Sequence, residues 1–203
     1  MLQTEGKTEE DAGDGRDAAA RCVSSLLKDR NIVLVGMMGA GKTSVGRRLA
    51  TALDLPFLDA DQEIETAANL TIPEIFEIYG EAQFREGERK VIRRLLGSGP
   101  AVLATGGGAF EDPQTREAIA ERGISVWLKA DLAVLFERVR RKSSRPLLNR
   151  PNPKAALAEL LARREPTYAL ADLTVHSRDT PHATVVRDIV AALKLRLEQG
   201  EEP

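Results

Sequence analysis

The sequence is poor in the features that stabilise secreted or membrane-bound proteins. Its 203 residues include a single cysteine, Cys22, so no internal disulfide can form. No apolar run approaches the roughly 20 residues that cross a bilayer. The net charge of -2 provides no general attraction for nucleic acid or for an anionic membrane surface. We therefore expect a cytoplasmic protein, folded around one core, with no membrane or nucleic-acid partner.

The first 29 residues differ in composition from the rest of the chain. Residues 1–17 are acidic and almost lack large apolar side chains, which is typical of a disordered tail. They have neither the pattern of a secretion signal nor that of an organellar presequence. Apolar residues then recur at helical spacing between Asp17 and Arg30, which predicts a short helix. We expect 1–29 to be an N-terminal extension and 30–203 to form one domain.

From residue 31 onward, short apolar segments alternate with longer amphipathic ones. The segments with strand character are "NIVLV", "LPFLDAD", "PAVLAT", "GISVWLKA" and "DLTVHS". Helical patterns of about ten residues or more separate most of them, which predicts βαβ units and an α/β fold with a mainly parallel sheet. In such sheets ligands bind beyond the carboxyl ends of the strands, so functional motifs should follow the strands.

The segment "GMMGAGKTS" (36–44) matches the phosphate-binding pattern G-x-x-x-x-G-K-[ST] between a strand and a helix. In this pattern backbone N–H groups hold the phosphates, Lys42 reaches the outer phosphates and the Thr43 hydroxyl ligates Mg²⁺. The alternative, a glycine turn followed by a surface lysine, does not explain the match at every required position. The sequence therefore predicts a nucleoside triphosphate site.

The motifs that usually accompany this loop are missing or displaced. Neither N-K-x-D nor D-x-x-G occurs, which argues against a GTP switch protein, and the strand "AVLA" ends in Thr105 rather than in an aspartate. Asp59 and Asp61 offer a substitute, because one can face the metal while the other faces the adjacent pocket. The alternative is that Asp61 is only the N-cap of a helix over residues 62–69.

Two further segments have more than one interpretation. In "FREGE" (84–88), Arg85 could be an ordinary solvated arginine of an amphipathic helix. Residues 138–150, "RVRRKSSRPLLNR", carry six basic residues and no acid, which is usual for a solvated face or a nucleic-acid patch. Because no aromatic residues are interleaved, we favour a mobile lid over polyphosphate.

Six motifs, in this order and at these separations, resemble the shikimate kinase family: "GMMGAGKTSVG", "FLDAD", "FREGE", "ATGGG", "RPLL" and "RREPTY". The resemblance covers roughly residues 30–197. It implies a nucleoside-monophosphate-kinase-like three-layer α/β/α fold with a five-stranded parallel sheet, an acceptor-binding region at about 60–95 and a mobile lid at about 141–153. It also implies a monomer that phosphorylates the 3-hydroxyl of shikimate with MgATP, a step towards chorismate and the aromatic amino acids.

The resemblance assigns residues to both substrates. It implies one Mg²⁺ per subunit at Thr43, with Asp59 behind it, and catalytic roles for Lys42, Asp61 and Arg145. The residues implied for ATP are Gly39, Ala40, Gly41, Lys42, Thr43, Ser44, Arg141 at the adenine, and Arg145 at the transferring phosphate. The residues implied for the acceptor are Asp61, Arg85, Gly106, Gly107, Gly108 and Arg164. A second adenine contact near Arg178 and Thr180 is implied only by position.

The resemblance changes the interpretation of the triple glycine in "LATGGGAF" (103–110). Three adjacent glycines suggest a second phosphate cradle, but no lysine follows them. At the acceptor end they would instead let bare backbone approach a ring that carries several hydroxyls. A tight turn between strand and helix is the alternative.

Three other functions compete with this one. A gluconate kinase would share the ATP loop but not the set of Asp61, Arg85 and Arg164. A regulatory module that binds ATP without turnover would need no acceptor pocket, and a nucleic-acid-binding protein would use the basic run. His176 and His182 lack metal-site spacing, and we expect both to be surface residues.

Overall fold

The computed structural model describes residues 18–141 and 151–199. The strands are β1 Asn31–Val35, β2 Phe57–Asp59, β3 Val102–Ala104, β4 Gly123–Lys129 and β5 Leu173–His176. The helices are α1 Ala18–Leu27, α2 Lys42–Leu53, α3 Ala60–Ala68, α4 Ile72–Leu96, α5 Pro113–Arg122, α6 Leu132–Arg140, α7 Pro153–Tyr168 and α8 His182–Gln199. A 3-10 turn, Ala109–Glu111, precedes α5.

The five strands form one parallel sheet in the order β2-β3-β1-β4-β5. All five residues of the central strand β1 are buried, as expected when helices cover both faces of a parallel sheet. The sheet and its flanking helices confirm the predicted α/β fold. Because all strands run the same way, the loops after β1, β2 and β3 meet at one edge of the sheet.

The acceptor-binding region predicted at about 60–95 consists of α3 and α4. A small apolar cluster of Ile64, Ile75 and Phe84 lies between these helices, apart from the main core. Thr71 and Glu74 form the reciprocal capping box at the start of α4, as its sequence predicts. Gly80 interrupts the helix with φ 77° and ψ 173°, a conformation that glycine adopts without steric cost.

The N-terminal helix packs on the body of the domain. Its buried residues Ala20, Val23 and Leu27 join the main core, next to α2 and α8. The Ser24 hydroxyl donates a hydrogen bond to the Leu53 carbonyl at 2.7 Å, which ties α1 to the far end of α2. The predicted tail, residues 1–17, lies outside the described residues. None of the helices in 18–141 and 151–199 is long and apolar enough to cross a membrane.

Candidate active site

The phosphate-binding loop has the backbone geometry that its motif predicts. The backbone φ values are 133° at Gly36, 83° at Gly39 and 96° at Gly41, a range that residues other than glycine rarely adopt. A Cβ at Gly36 would lie only 2.8 Å from the Leu128 carbonyl oxygen. The Lys42 ammonium donates to the carbonyls of Gly36 at 2.6 Å and Met37 at 3.1 Å, which bridges the two ends of the loop.

This loop forms one wall of a cleft of about 530 Å³ at the carboxyl edge of the sheet. The cleft collects residues from the ends of β1, β2 and β3, from α6 and from the start of α8. It is lined by Met38, Gly39, Gly41, Lys42, Thr43, Ser44, Asp59, Asp61, Thr105, Gly107, Arg138, Val139, Arg141, Asp179, Thr180 and His182. Both predicted ends of the site, the phosphate loop and Asp61, therefore face the same space.

The two aspartates after β2 have different roles. Asp59 is the N-cap of α3, because its Oδ1 accepts a hydrogen bond from the Asp61 backbone N–H at 3.2 Å. Its other carboxylate oxygen, Oδ2, accepts from the Thr43 hydroxyl at 2.9 Å. The alternative that Asp61 caps the helix is wrong, since α3 begins at Ala60. The Asp61 side chain instead lines the cleft.

The Thr43 and Asp59 pair fits a magnesium ion that is held chiefly by substrate. Within 18–141 and 151–199, no group of three or more His, Cys, Asp or Glu residues could hold a metal by itself. Mg²⁺ in nucleotide sites keeps several waters and takes phosphate oxygens, with one or two protein oxygens. The Thr43 hydroxyl, which already donates a hydrogen bond to the Asp59 carboxylate, provides such a protein oxygen.

Charged side chains lie close to the triple glycine, Gly106–Gly108. A Cβ on Gly106 would lie 2.7 Å from both the Asp61 and Glu88 carboxylates, and one on Gly108 would lie 2.6 Å from Arg85 Nη2. The three glycines have no positive φ. Gly106 and Gly108 are therefore explained by the close approach of the protein's own charged groups, a cause that local sequence does not indicate.

Arg85 is half-buried and paired, so the interpretation as a solvated arginine is wrong. Its Nη1 donates to the Glu88 carboxylate at 2.7 Å, and its Nη2 lies 3.4 Å from Glu81. Glu88 is 3% exposed, and burial raises the pKa of its carboxyl group although the Arg85 guanidinium opposes the shift. Sequence reasoning missed Glu88; its position three residues after Arg85 on one helix face was the available signal.

Arg164 reaches the same place from α7. Its Nη1 donates to the Gly107 carbonyl at 3.0 Å, and the Tyr168 hydroxyl donates to the same oxygen at 2.5 Å. Burial raises the pKa of Tyr168 to about 12, so the hydroxyl stays a donor at any physiological pH. The buried Arg164 Nε has no hydrogen-bond partner among the described residues. Arg164 is thus held against the glycine loop by Gly107 while its Nε stays unpaired inside the fold.

The remaining predicted residues fall into three groups. Gly39, Gly41 and Ser44 line the cleft, whereas Ala40 is fully buried behind it. Arg141 lines the cleft from the end of α6. Arg145 and residues 142–150 of the predicted lid lie outside the described residues.

Several cleft residues were not predicted individually, and two of them, His182 and Arg138, carry basic side chains. His182 is half-buried, and burial together with Arg48 and Arg138 lowers the pKa of its imidazole. His176 is exposed, as expected of a surface residue, whereas His182 lies at the start of α8 and lines the cleft. Arg138, which we had placed in the basic run, also lines the cleft.

Comparison of the chain with known proteins finds one family. The family profile described as shikimate kinase matches residues 38–194. A shikimate kinase of Rhodopseudomonas palustris is 55% identical over 90% of this chain and 90% of its own length. One of Bradyrhizobium diazoefficiens is 54% identical over 89% of this chain and 88% of its own length.

Solved structures agree with the sequence comparison. The shikimate kinase of Acinetobacter baumannii, solved in complex with shikimate, has a TM-score of 0.79 and 40% identity over 88% of this chain and 99% of its own. A gluconokinase from Sinorhizobium meliloti has a TM-score of 0.58 and 22% identity over 84% of this chain and 95% of its own, a likeness that shows the fold alone. The cleft, the profile match and the close relatives together establish that this chain belongs to the shikimate kinase family, the ATP-dependent enzymes that phosphorylate the 3-hydroxyl of shikimate.

Proposed function

We propose that the cleft binds ATP along the phosphate loop and shikimate against the triple glycine, with Asp61 between them. One observation carries this proposal: Lys42, Asp61 and Gly107 line the same cleft although they come from three different strand ends. Phosphoryl transfer needs donor and acceptor in line and in contact, and a shared cleft meets that requirement.

The acceptor end suits a small carboxylate that carries several hydroxyls. Arg85 and Arg164 approach the glycine loop from opposite helices, α4 and α7, and planar guanidinium groups pair with carboxylates through two hydrogen bonds. Asp61 provides acceptors for hydroxyl groups, and the backbone of Gly106–Gly108 lies beside it. We assign the shikimate carboxylate to the two arginines and its hydroxyls to Asp61 and the glycine loop.

The reaction exchanges one phosphorus–oxygen bond for another. The 3-hydroxyl oxygen forms a bond to the γ-phosphorus while the bond to the bridging oxygen of ADP breaks. Asp61 orients the hydroxyl and accepts its proton as bond formation acidifies it. Lys42 neutralises charge on the transferring group, and Arg145, outside the described residues, remains a predicted partner in that role.

Thr43 would hold a magnesium ion, with Asp59 accepting a hydrogen bond behind it. When bound, this ion would partly neutralise the negative charge of the outer phosphates. We further propose that the enzyme works as a cytoplasmic monomer.

An assay of ADP release tests the function. With MgATP, release should be fast with shikimate and far slower with gluconate or with no acceptor, because closure around the correct acceptor excludes water. Turnover with gluconate but not with shikimate would favour the gluconate kinase alternative. An equal rate with and without shikimate would contradict the kinase assignment.

Replacement of Gly107 by alanine tests the acceptor site without disturbing the fold. A Cβ there would meet Arg164 Nη1 and the Met38 nitrogen at 3.5 Å, an ordinary contact, and the backbone needs no positive φ. We expect an unchanged melting temperature and ATP KM, and a KM for shikimate raised by about tenfold, since a methyl group would displace the ring. Weaker ATP binding with normal shikimate binding would instead place this loop at the nucleotide.

A further inference from the structure

Several carbonyl groups of the phosphate loop accept hydrogen bonds from side chains or from backbone N–H groups. Two donors come from the loop and its helix. Lys42 donates hydrogen bonds to the carbonyls of Gly36 and Met37, and the Val45 N–H donates one to the Gly41 carbonyl at 2.8 Å. The carbonyls of Gly39 and Ala40 receive donors from elsewhere in the fold. These two peptides are therefore held by tertiary contacts.

The donor to Ala40 is Ser177, immediately after β5. Its side chain is 1% exposed, and its hydroxyl donates to the Ala40 carbonyl at 2.7 Å. Its backbone N–H donates to the Lys129 carbonyl at 2.7 Å, which fixes the residue to the end of β4. The end of the sheet thus holds the Ser177 hydroxyl beside the phosphate loop.

Arg138 of α6 completes the contact. Its Nη1 donates to the Ser177 hydroxyl at 3.0 Å and approaches the Gly39 carbonyl at 3.4 Å. Its Nη2 donates to the Arg178 carbonyl at 2.7 Å, directly before the cleft residues Asp179 and Thr180. One guanidinium therefore joins the phosphate loop to the connection between β5 and α8.

We propose that Arg138 and Ser177 are positioning residues for the nucleotide, acting as a clasp that holds the phosphate loop in its binding conformation. The clasp rests on the proposed ATP site and adds residues that its motif does not contain. In a planar trans peptide the C=O and N–H point in opposite directions. The Ala40 carbonyl and the Gly41 N–H belong to one peptide. Because the Ser177 hydroxyl fixes the direction of the carbonyl, the N–H is directed towards the cleft, where phosphate oxygens need donors.

The clasp also links the two ends of the nucleotide site. Because Arg138 contacts both the phosphate loop and the Arg178 carbonyl, loss of its planar fork releases both walls of the cleft together. A lysine retains the charge but cannot serve these separated acceptors at once. Arg138→Lys is therefore a specific test of geometry rather than of charge.

The test measures binding of MgADP and of shikimate to the full-length protein by calorimetry, after shikimate-dependent turnover of the wild type has been established. Arg138→Lys and Ser177→Ala should each weaken MgADP binding by about tenfold, the size expected when a buried carbonyl loses its donor. Shikimate binding should change by less than about twofold. The double variant should lose less than the product of the two single effects, because both residues serve one network.

Two control variants match these changes. Ser24→Ala removes the same kind of bond, a hydroxyl donated to a backbone carbonyl, at the opposite end of α2. Arg187→Lys changes an exposed arginine of α8. Both should bind MgADP as the wild type does.

Three results would overturn the clasp: unchanged MgADP affinity in Arg138→Lys, parallel losses of MgADP and shikimate affinity, or an equal loss in Ser24→Ala. If Ser177→Ala fails to fold, the conservative Arg138→Lys variant decides the question alone. Normal turnover by the wild type, together with any of these results, would reject the clasp and leave the kinase function standing.

Discussion

Replacing Asp61 with asparagine should lower kcat by about 10²- to 10⁴-fold, the range for loss of a positioned proton acceptor. Asparagine and aspartate have nearly the same shape, so the variant fills the same volume beside Gly106. That space is tight, since a Cβ built on Gly106 would lie only 2.7 Å from Asp61 Oδ1. The amide loses the negative charge and the ability to take the hydroxyl proton. ATP affinity should stay nearly unchanged, because the carboxylate that contacts Thr43 is that of Asp59.

The measurement is steady-state kinetics in both substrates, with Glu63→Gln as the control. Glu63 lies two residues further along α3 and pairs with Arg94 at 2.8 Å on the exposed side of the helix. This control should retain normal kcat. If the Asp61 variant kept turnover within a few-fold of the wild type, Asp61 would not be the proton acceptor.

Replacing Arg85 with alanine should raise the KM for shikimate by about 10- to 100-fold, the range for losing a hydrogen bond to a charged group. The KM for ATP should change little, because Arg85 lies at the glycine loop rather than at the phosphate loop. Arg89→Ala, one turn further along α4, is the control, since Arg89 pairs instead with Asp112 at 2.8 Å. Equal effects on both KM values would place Arg85 elsewhere in the site.

The same variant should also lose stability in a pH-dependent manner, because it leaves the Glu88 carboxylate buried without its partner. The cost at neutral pH should be about 3 kcal/mol or less, since Arg85 retains some exposure. Burial already raises the folded-state pKa of Glu88 above the ordinary 4.5, and removal of Arg85 raises it further. The variant should therefore match the wild type most closely below pH 4.5 and lose stability as pH rises through the folded pKa.

A second substitution separates binding from stability. Glu88→Gln in the Arg85→Ala background removes the buried charge, so the free energy of unfolding should recover and become less dependent on pH. The KM for shikimate should stay high, because the missing guanidinium is not restored. Recovery of KM together with stability would show that Arg85 acts only through the fold.

Much of this structure follows from local patterns. The run "NIVLV" predicted a strand, and β1 is the fully buried centre of the sheet. Thr71 with Glu74 caps the start of α4, and Asp112 with Pro113 begins α5; such caps are local signals, because capping depends on residues only a few positions apart. The phosphate loop was predictable for the same reason, since its glycine positions reflect backbone conformations within eight residues.

Other parts of the site depend on contacts between distant segments. Tyr168 and Gly107 are 61 residues apart, and Arg138 and Ser177 are 39 apart, so no local pattern connects them. Three adjacent glycines suggest space for a ligand, whereas Asp61, Glu88 and Arg85 occupy the space beside two of them. Similarly, His182 was placed on the surface because nothing nearby in sequence indicates the cleft.

The sequence alone determined the class of fold, the phosphate loop and the family, because alternating apolar periodicity and short motifs are local properties of the chain. Only the tertiary structure decided that Asp59 caps α3 and contacts Thr43, that Arg85 is held by a buried glutamate, and that Arg138 and Ser177 hold the phosphate loop. The physical reason is that buried charges and backbone carbonyls must find partners across the fold, and which partners are within reach is set by how the strands order in the sheet.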